Sequence, residues 1–116
     1  VVENATIMDG GIAISTCSKD MPNNMLIAAQ AADALLSIKG IQASFVLAET
    51  PGGINISGRS LGQINVQLIL ERIGGGGHLA VAGAQLKDIT MNEAVDKLTD
   101  SIYSYLDEIG ADYSRS

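Results

Sequence analysis

Four consecutive glycines, Gly74 to Gly77, run directly into His78, and no other stretch restricts the possible folds of this chain so closely. Upstream of them, Val66, Ile69, Leu70 and Ile73 recur at the three- and four-residue spacing of one helix face, in a helix that starts at Asn65 or earlier. One glycine is enough to stop a helix. Four carry a large ordering cost, because glycine loses more conformational freedom on folding than any other residue, and such a cost points to a use. Backbone N–H groups exposed in a glycine loop form an anion-binding concavity, and His78 can donate a hydrogen bond to phosphate or contact a base. A flexible loop with a solvent-facing histidine is the alternative that these residues leave open. Two nucleotide loops fit poorly: no Lys-Ser or Lys-Thr follows the glycines, as a P-loop requires, and Gly75-x-Gly77-x-x-Ala80 follows a helix where a dinucleotide fingerprint must follow a strand.

The rest of the chain alternates strand and helix patterns. Gly11 to Cys17 has the period-two alternation of a half-buried strand, and Asp9-Gly10 before it can turn a short hairpin. Pro22-Asn23-Asn24 supplies cap chemistry for a helix from Met25 to Ile38, with Gln30, Asp33 and Ser37 as its wet stripe and Gly40 as its stop. Ile41 to Ala48 and Ile54 to Ser60 read as strands around the turn Thr50-Pro51-Gly52-Gly53. Ala80 to Leu86 reads as a helical turn followed by a strand through Gln85. Thr90-Met91-Asn92-Glu93 is a capping box for a last helix with the stripe Met91, Ala94, Val95, Leu98, Ile102, Leu106 and Ile109, closed by Gly110. The fold class expected is α/β (α+β), a mixed β-sheet of about five strands with helices packed on it.

With 116 residues there is room for one domain spanning 1–116. Charged residues make up 17%, below the roughly 25% usual in soluble domains, which suggests a face covered by another domain or subunit. The opening Val1-Val2 suggests a piece of a larger multidomain protein; no signal peptide is read there, and Gln30 and Asp33 interrupt the best apolar run, so no direct membrane contact is expected. Cys17 has no partner for a disulfide and reads as a buried strand residue in a reducing compartment. The net charge of −6 disfavours binding of long nucleic acid. Charge is uneven, however: from Pro51 to Lys87 the only acid is Glu71 against Arg59, Arg72 and Lys87, so a small anion prefers this middle segment.

Along Asn55-Ile56-Ser57-Gly58-Arg59, strand alternation puts Asn55, Ser57 and Arg59 on one face and Ile54 and Ile56 on the other. A guanidinium beside a hydroxyl is a sensible phosphate clamp, with Gly58 letting a ligand approach the backbone. A pairing of Arg59 with an acidic neighbour is the competing interpretation. One histidine and no Asp/His cluster leave no metal site and no catalytic residue to assign, and no Gly-x-Ser-x-Gly elbow is present.

Ser57-Gly-Arg59-Ser60, then a helix, then Gly75-Gly76-Gly77-His78 and Ala82-Gly-Ala84 resemble the DHH-associated substrate-binding domain of the DHH phosphoesterases, over nearly the whole chain. The block from Ser57 to Leu86 is most similar to GdpP-type bacterial cyclic-di-AMP phosphodiesterases. The resemblance implies a cytoplasmic domain of a membrane-anchored parent that closes over a cyclic dinucleotide or short oligonucleotide, facing a DHH domain of the same chain that holds Mn2+. It implies that Ser57, Arg59 and Ser60 help hold phosphate, that Gly75, Gly76, Gly77 and His78 contact phosphate or base, and that the parent yields pApA. Two alternatives stay open, a nanoRNase or pAp-phosphatase domain and a noncatalytic nucleotide-sensing or oligomerisation module, and a homodimer is a further partner that either reading allows.

Overall fold

Ala43 to Ala48 are all buried, which only a strand covered on both faces can satisfy, and this segment lies in the middle of the sheet. The structure, a computed structural model, describes residues 5–8 and 10–110. Its elements in order are β1 (Thr6–Met8), β2 (Ile12–Cys17), α1 (Asn24–Leu35), β3 (Ala43–Thr50), β4 (Gly53–Ser60), α2 (Val66–Glu71), β5 (Gly76–Gly77), β6 (Val81–Lys87) and α3 (Met91–Glu108). The six strands form one sheet in the order β1-β2-β3-β4-β6-β5. β2 and β3 are parallel, with α1 as the crossover between them, and the other neighbours are antiparallel.

Alternation along the strands separates two cores. Ile12, Ile14, Phe45, Leu47, Ile54 and Ile56 face α2 and α3, where they meet Val66, Ile69, Leu70, Leu98, Ile102 and Leu106. Ala13, Cys17, Val46 and Ala48 face α1, meeting Ala28, Ala31, Ala32 and Leu35. Small alanines on α1 let it lie close to the sheet, while the larger side chains fill the other layer. Burial pushes the Cys17 thiol above its usual range.

Two polar ties join α2 to α3: the Asn65 N–H donates to Tyr105 Oη at 2.9 Å, and Ser101 Oγ donates to the Ile69 carbonyl at 2.5 Å. Asn65 also caps α2, its Oδ1 accepting from the Leu68 N–H at 3.1 Å. At the start of α3 the capping box is complete, with Glu93 N–H to Thr90 Oγ1 at 3.2 Å and Thr90 N–H to Glu93 Oε1 at 3.1 Å.

Several details depart from the sequence expectations. The strand expected to be half-buried, β2, is buried on both faces because α1 covers the side opposite α3. A sixth strand, β5, consists of two glycines, a composition without strand propensity that is held in place by pairing with β6. α1 ends at Leu35, and its first-turn asparagines do not cap it. Asn23 has no side-chain cap bond, and Asn24 instead donates to the Ser18 and Glu49 carbonyls. No helical turn forms at Ala80, where a tight turn joins β5 to β6. β1 and β2 do form a hairpin; Gly10 lies in its turn at φ +87°, and Asp9 lies outside the described residues.

Candidate functional site

α1 covers β2, β3 and β4 but does not extend over β6 and β5, and a cleft of about 510 Å3 opens on this uncovered half of the sheet. Its lining is Met25, Asn55, Ile56, Ser57, Gly74, Gly75, Gly76, Gly83, Ala84 and Gln85. Cross-strand register arranges the residues in rows. Asn55 lies opposite Gln85; Ser57 lies opposite Gly83, which lies opposite Gly76; Arg59 lies opposite Val81. The middle row therefore runs from a hydroxyl over two residues without side chains, giving a floor of bare backbone beside Ser57.

The glycine run has a defined geometry. Gly74, at φ +94°, ends α2 in a Schellman motif: the Gly75 N–H donates to Leu70 O at 2.8 Å and the Gly74 N–H to Glu71 O at 3.2 Å. The His78 N–H donates to Val81 O at 2.8 Å and the Val81 N–H returns to His78 O at 3.2 Å. Three of the N–H groups expected to form an anion concavity are thus engaged inside the fold. The glycines serve the cleft through their missing side chains. A Cβ on Gly75 would lie 2.4 Å from Gly83 O, whereas a Cβ on Gly76 would meet nothing within 4 Å and would project into open space.

Asn55, Ser57 and Arg59 share one face, as alternation required, but they differ in what they touch. Arg59 Nε lies 3.2 Å from Asp33 Oδ1 on α1, and Nη1 donates to Gly58 O at 2.9 Å. The competing interpretation of Arg59 is therefore realised. Asp33 is 67% exposed whereas the Arg59 side chain is 17% exposed, so the pair is screened by solvent on its acidic side while the guanidinium is held largely within the fold. His78 is exposed in the turn at the Arg59 end, and its Nδ1 accepts from the Ala80 N–H at 3.3 Å, so the neutral ring carries its proton on Nε2, free of the turn. Ser60 is set apart from the others: it is 7% exposed on the α2 side, where its Oγ accepts from the Gly62 N–H at 2.9 Å.

Gly58 requires a correction. The expected ligand approach at this residue does not exist, since its vacant Cβ position faces the core, 3.1 Å from the Phe45 ring and 3.3 Å from Leu70 Cδ1. Gly83 supplies the bare backbone instead. Sequence reasoning passed over Gly83 and Gln85 as site residues; the sequence offered only their alternation with Ala82, Ala84 and Leu86, and their pairing with Ser57 and Asn55 appears with the fold.

A second cavity, of about 320 Å3, lies by the β3–β4 turn and is lined by Glu49, Thr50, Pro51, Gly52, Gly53, Asp88, Ile89 and Thr90. Its two carboxylates and lack of cationic lining residues suit it poorly to an anion. Among the described residues no three of His, Cys, Asp and Glu are gathered to hold a metal ion, and no helix is long and apolar enough to cross a membrane.

A small mixed-sheet domain with one half of a sheet face left open above a glycine floor is the class that fold and cleft define. Residues 9–108 match the DHHA1 domain model, and the chain belongs to that family. It is 52% identical over 106 residues to the cyclic-di-AMP phosphodiesterase PdeA of Listeria monocytogenes, covering 90% of this chain and 16% of that protein. It is 44% identical over 108 residues to the cyclic-di-AMP phosphodiesterase GdpP of Geobacillus thermodenitrificans, covering 92% of this chain and again 16% of the relative. The chain thus spans about a sixth of the length of these curated relatives. Among solved structures, an exopolyphosphatase-related protein from Bacteroides fragilis superposes with a TM-score of 0.81 at 25% identity, over 95% of this chain and 34% of that one.

Proposed function

We propose that this chain is the substrate-binding domain of a manganese-dependent phosphodiesterase that hydrolyses cyclic di-AMP to pApA, and that it is not catalytic without a DHH domain. The observation that carries this reading is the row Ser57, Gly83 and Gly76, an open backbone floor in the cleft with two amides at one end; Arg59 and His78 lie beyond the other end, outside the residues that line the cleft. Ser57 and Arg59 would donate to phosphate oxygens, with His78 Nε2–H at the rim. The glycines would let sugar and phosphate lie close to the sheet, as no side chain there could tolerate. The relatives' activity as cyclic-di-AMP phosphodiesterases supports the choice of substrate.

Bound manganese would supply a metal-activated hydroxide and neutralise developing charge on phosphorus. The residues described here do not fit such a centre, so its ligands would belong to a DHH domain outside these 116 residues. The role left to this chain is to bind and orient. In the same reading the parent is membrane-anchored and this domain is cytoplasmic.

Replacing the matching segment of the Listeria enzyme by this chain tests the reading. The chimera should hydrolyse cyclic di-AMP with Mn2+, and Arg59→Ala or His78→Ala within it should raise KM or lower kcat/KM by roughly tenfold or more. Unchanged kcat and KM in both variants would remove these residues from the site.

A further inference from the structure

At the end of the cleft away from Arg59, the Asn55 side chain is held only by weak contacts. Its Nδ2 donates to Met25 Sδ at 3.0 Å, a thioether and hence a poor acceptor, while its Oδ1 is buried with no hydrogen-bond partner among the described residues. Buried acceptors rarely go unpaired, and one that does is completed by a water, an ion or a ligand donor. Met25 itself is 55% exposed and unbranched, so its side chain can swing off the amide at little cost. Directly across the strand pair lies Gln85, exposed and also lining the cleft, which places two carboxamides side by side.

We propose that Asn55, with Gln85 beside it, is the base-reading element of this cleft, selecting a purine that carries an exocyclic amino group next to a ring-nitrogen acceptor, the 6-amino and N7 edge of adenine. The proposal rests on the nucleotide reading given above. A carboxamide matches that edge in two bonds, its oxygen accepting from the amino group and its NH2 donating to N7. A 6-oxo purine presents two acceptors there and gives the Asn55 oxygen no donor. Dimensions agree as well. From Arg59 to Asn55 is four residues of strand, about 13 Å at the usual rise, comparable to a nucleotide from phosphate to base edge. Met25 would leave Asn55 when the base arrives and lie against the ring face.

The test is an amide and methionine-methyl NMR titration of this chain with AMP, IMP and ribose 5-phosphate, all at up to millimolar concentration. AMP should bind on the order of tenfold more tightly than IMP, shift the Met25 methyl, and lose that preference in Asn55→Leu. Gln85→Leu, at an exposed position that leaves folding undisturbed, should weaken the preference by a smaller factor. Equal affinity for AMP and IMP, or a preference that survives both substitutions, overturns the base-reading proposal while shifts at Ser57 and Gly76 from ribose 5-phosphate leave the cleft reading standing. Absence of any shift in the cleft with all three ligands overturns both.

Discussion

A methyl group added at Gly75 and one added at Gly76 meet opposite surroundings, and the contrast separates fold from ligand. At Gly75 the new carbon would sit 2.4 Å from the Gly83 carbonyl and 2.7 Å from Ala84 Cβ, so Gly75→Ala should destabilise the domain by about 2 kcal/mol or more in urea unfolding. At Gly76 it would meet nothing, so Gly76→Ala should leave stability within about 1 kcal/mol of the parent while weakening nucleotide binding, because the methyl occupies the cleft floor. A Gly76→Ala variant with undiminished binding would mean that no ligand lies on that floor. Asp33 gives a second residue-scale test. It is two-thirds exposed but pairs with an Arg59 side chain that is only 17% exposed, so Asp33→Asn should lower stability modestly, by about 1 kcal/mol. By removing the carboxylate that competes for the guanidinium, the same change should raise the affinity for inorganic phosphate, measured by titration.

Among the elements, α3 owes its start to the reciprocal Thr90–Glu93 box, and Thr90→Ala should cost about 1 kcal/mol. Hydrogen bonds from the Thr90 backbone and side chain hold the Glu93 carboxyl below its usual range. For a carboxyl depressed in the folded state, the linked stability is present above the unfolded value and is lost as pH falls through the folded one. Glu93→Gln should therefore lower stability slightly at neutral pH, where the ionised carboxylate contributes, with the difference from the parent vanishing in acid, so that the acid limb below about pH 4.3, where an unperturbed Glu titrates, is flattened. Elements with a strong local signature were legible in the sequence: the α3 box, the apolar face of α2, and the alternation of β4 that put Asn55, Ser57 and Arg59 together. β5 was not, since two glycines have no strand preference and pair only because β6 lies alongside. Tyr105 and Ser101 were invisible for a related reason. Their partners, the Asn65 N–H and the Ile69 carbonyl, are 40 and 32 residues away and are brought near only by tertiary packing.

On the scale of the whole molecule, the decisive property is an asymmetry in how the sheet is covered. Two helices occupy one face, while on the other α1 stops over β4, so the residues that reach the open surface of β4 and β6 form the cleft. Sequence periodicity shows which side chains share a face but not where a covering helix ends, which is why Gly83 and Gln85 emerged only with the fold; Gly58 shares the core-facing register of Ile54 and Ile56, so the ligand approach expected there is closed by Phe45 and Leu70. In the proposed reading that same asymmetry leaves the cleft as a half-site, to be completed by a second domain along the uncovered half of the sheet. It also suggests why an acidic chain of net charge −6 keeps its middle segment cationic. An amide NMR titration of the chain with cyclic di-AMP, with pApA and inorganic phosphate alongside, addresses this directly. Shifts gathered at Ser57, Arg59, Gly75, Gly76, His78 and Gly83, larger for the dinucleotides than for phosphate, are the predicted result. Shifts confined to the cavity between Glu49 and Thr90, or none at millimolar ligand, would contradict the assignment of the glycine-floored cleft as the nucleotide site.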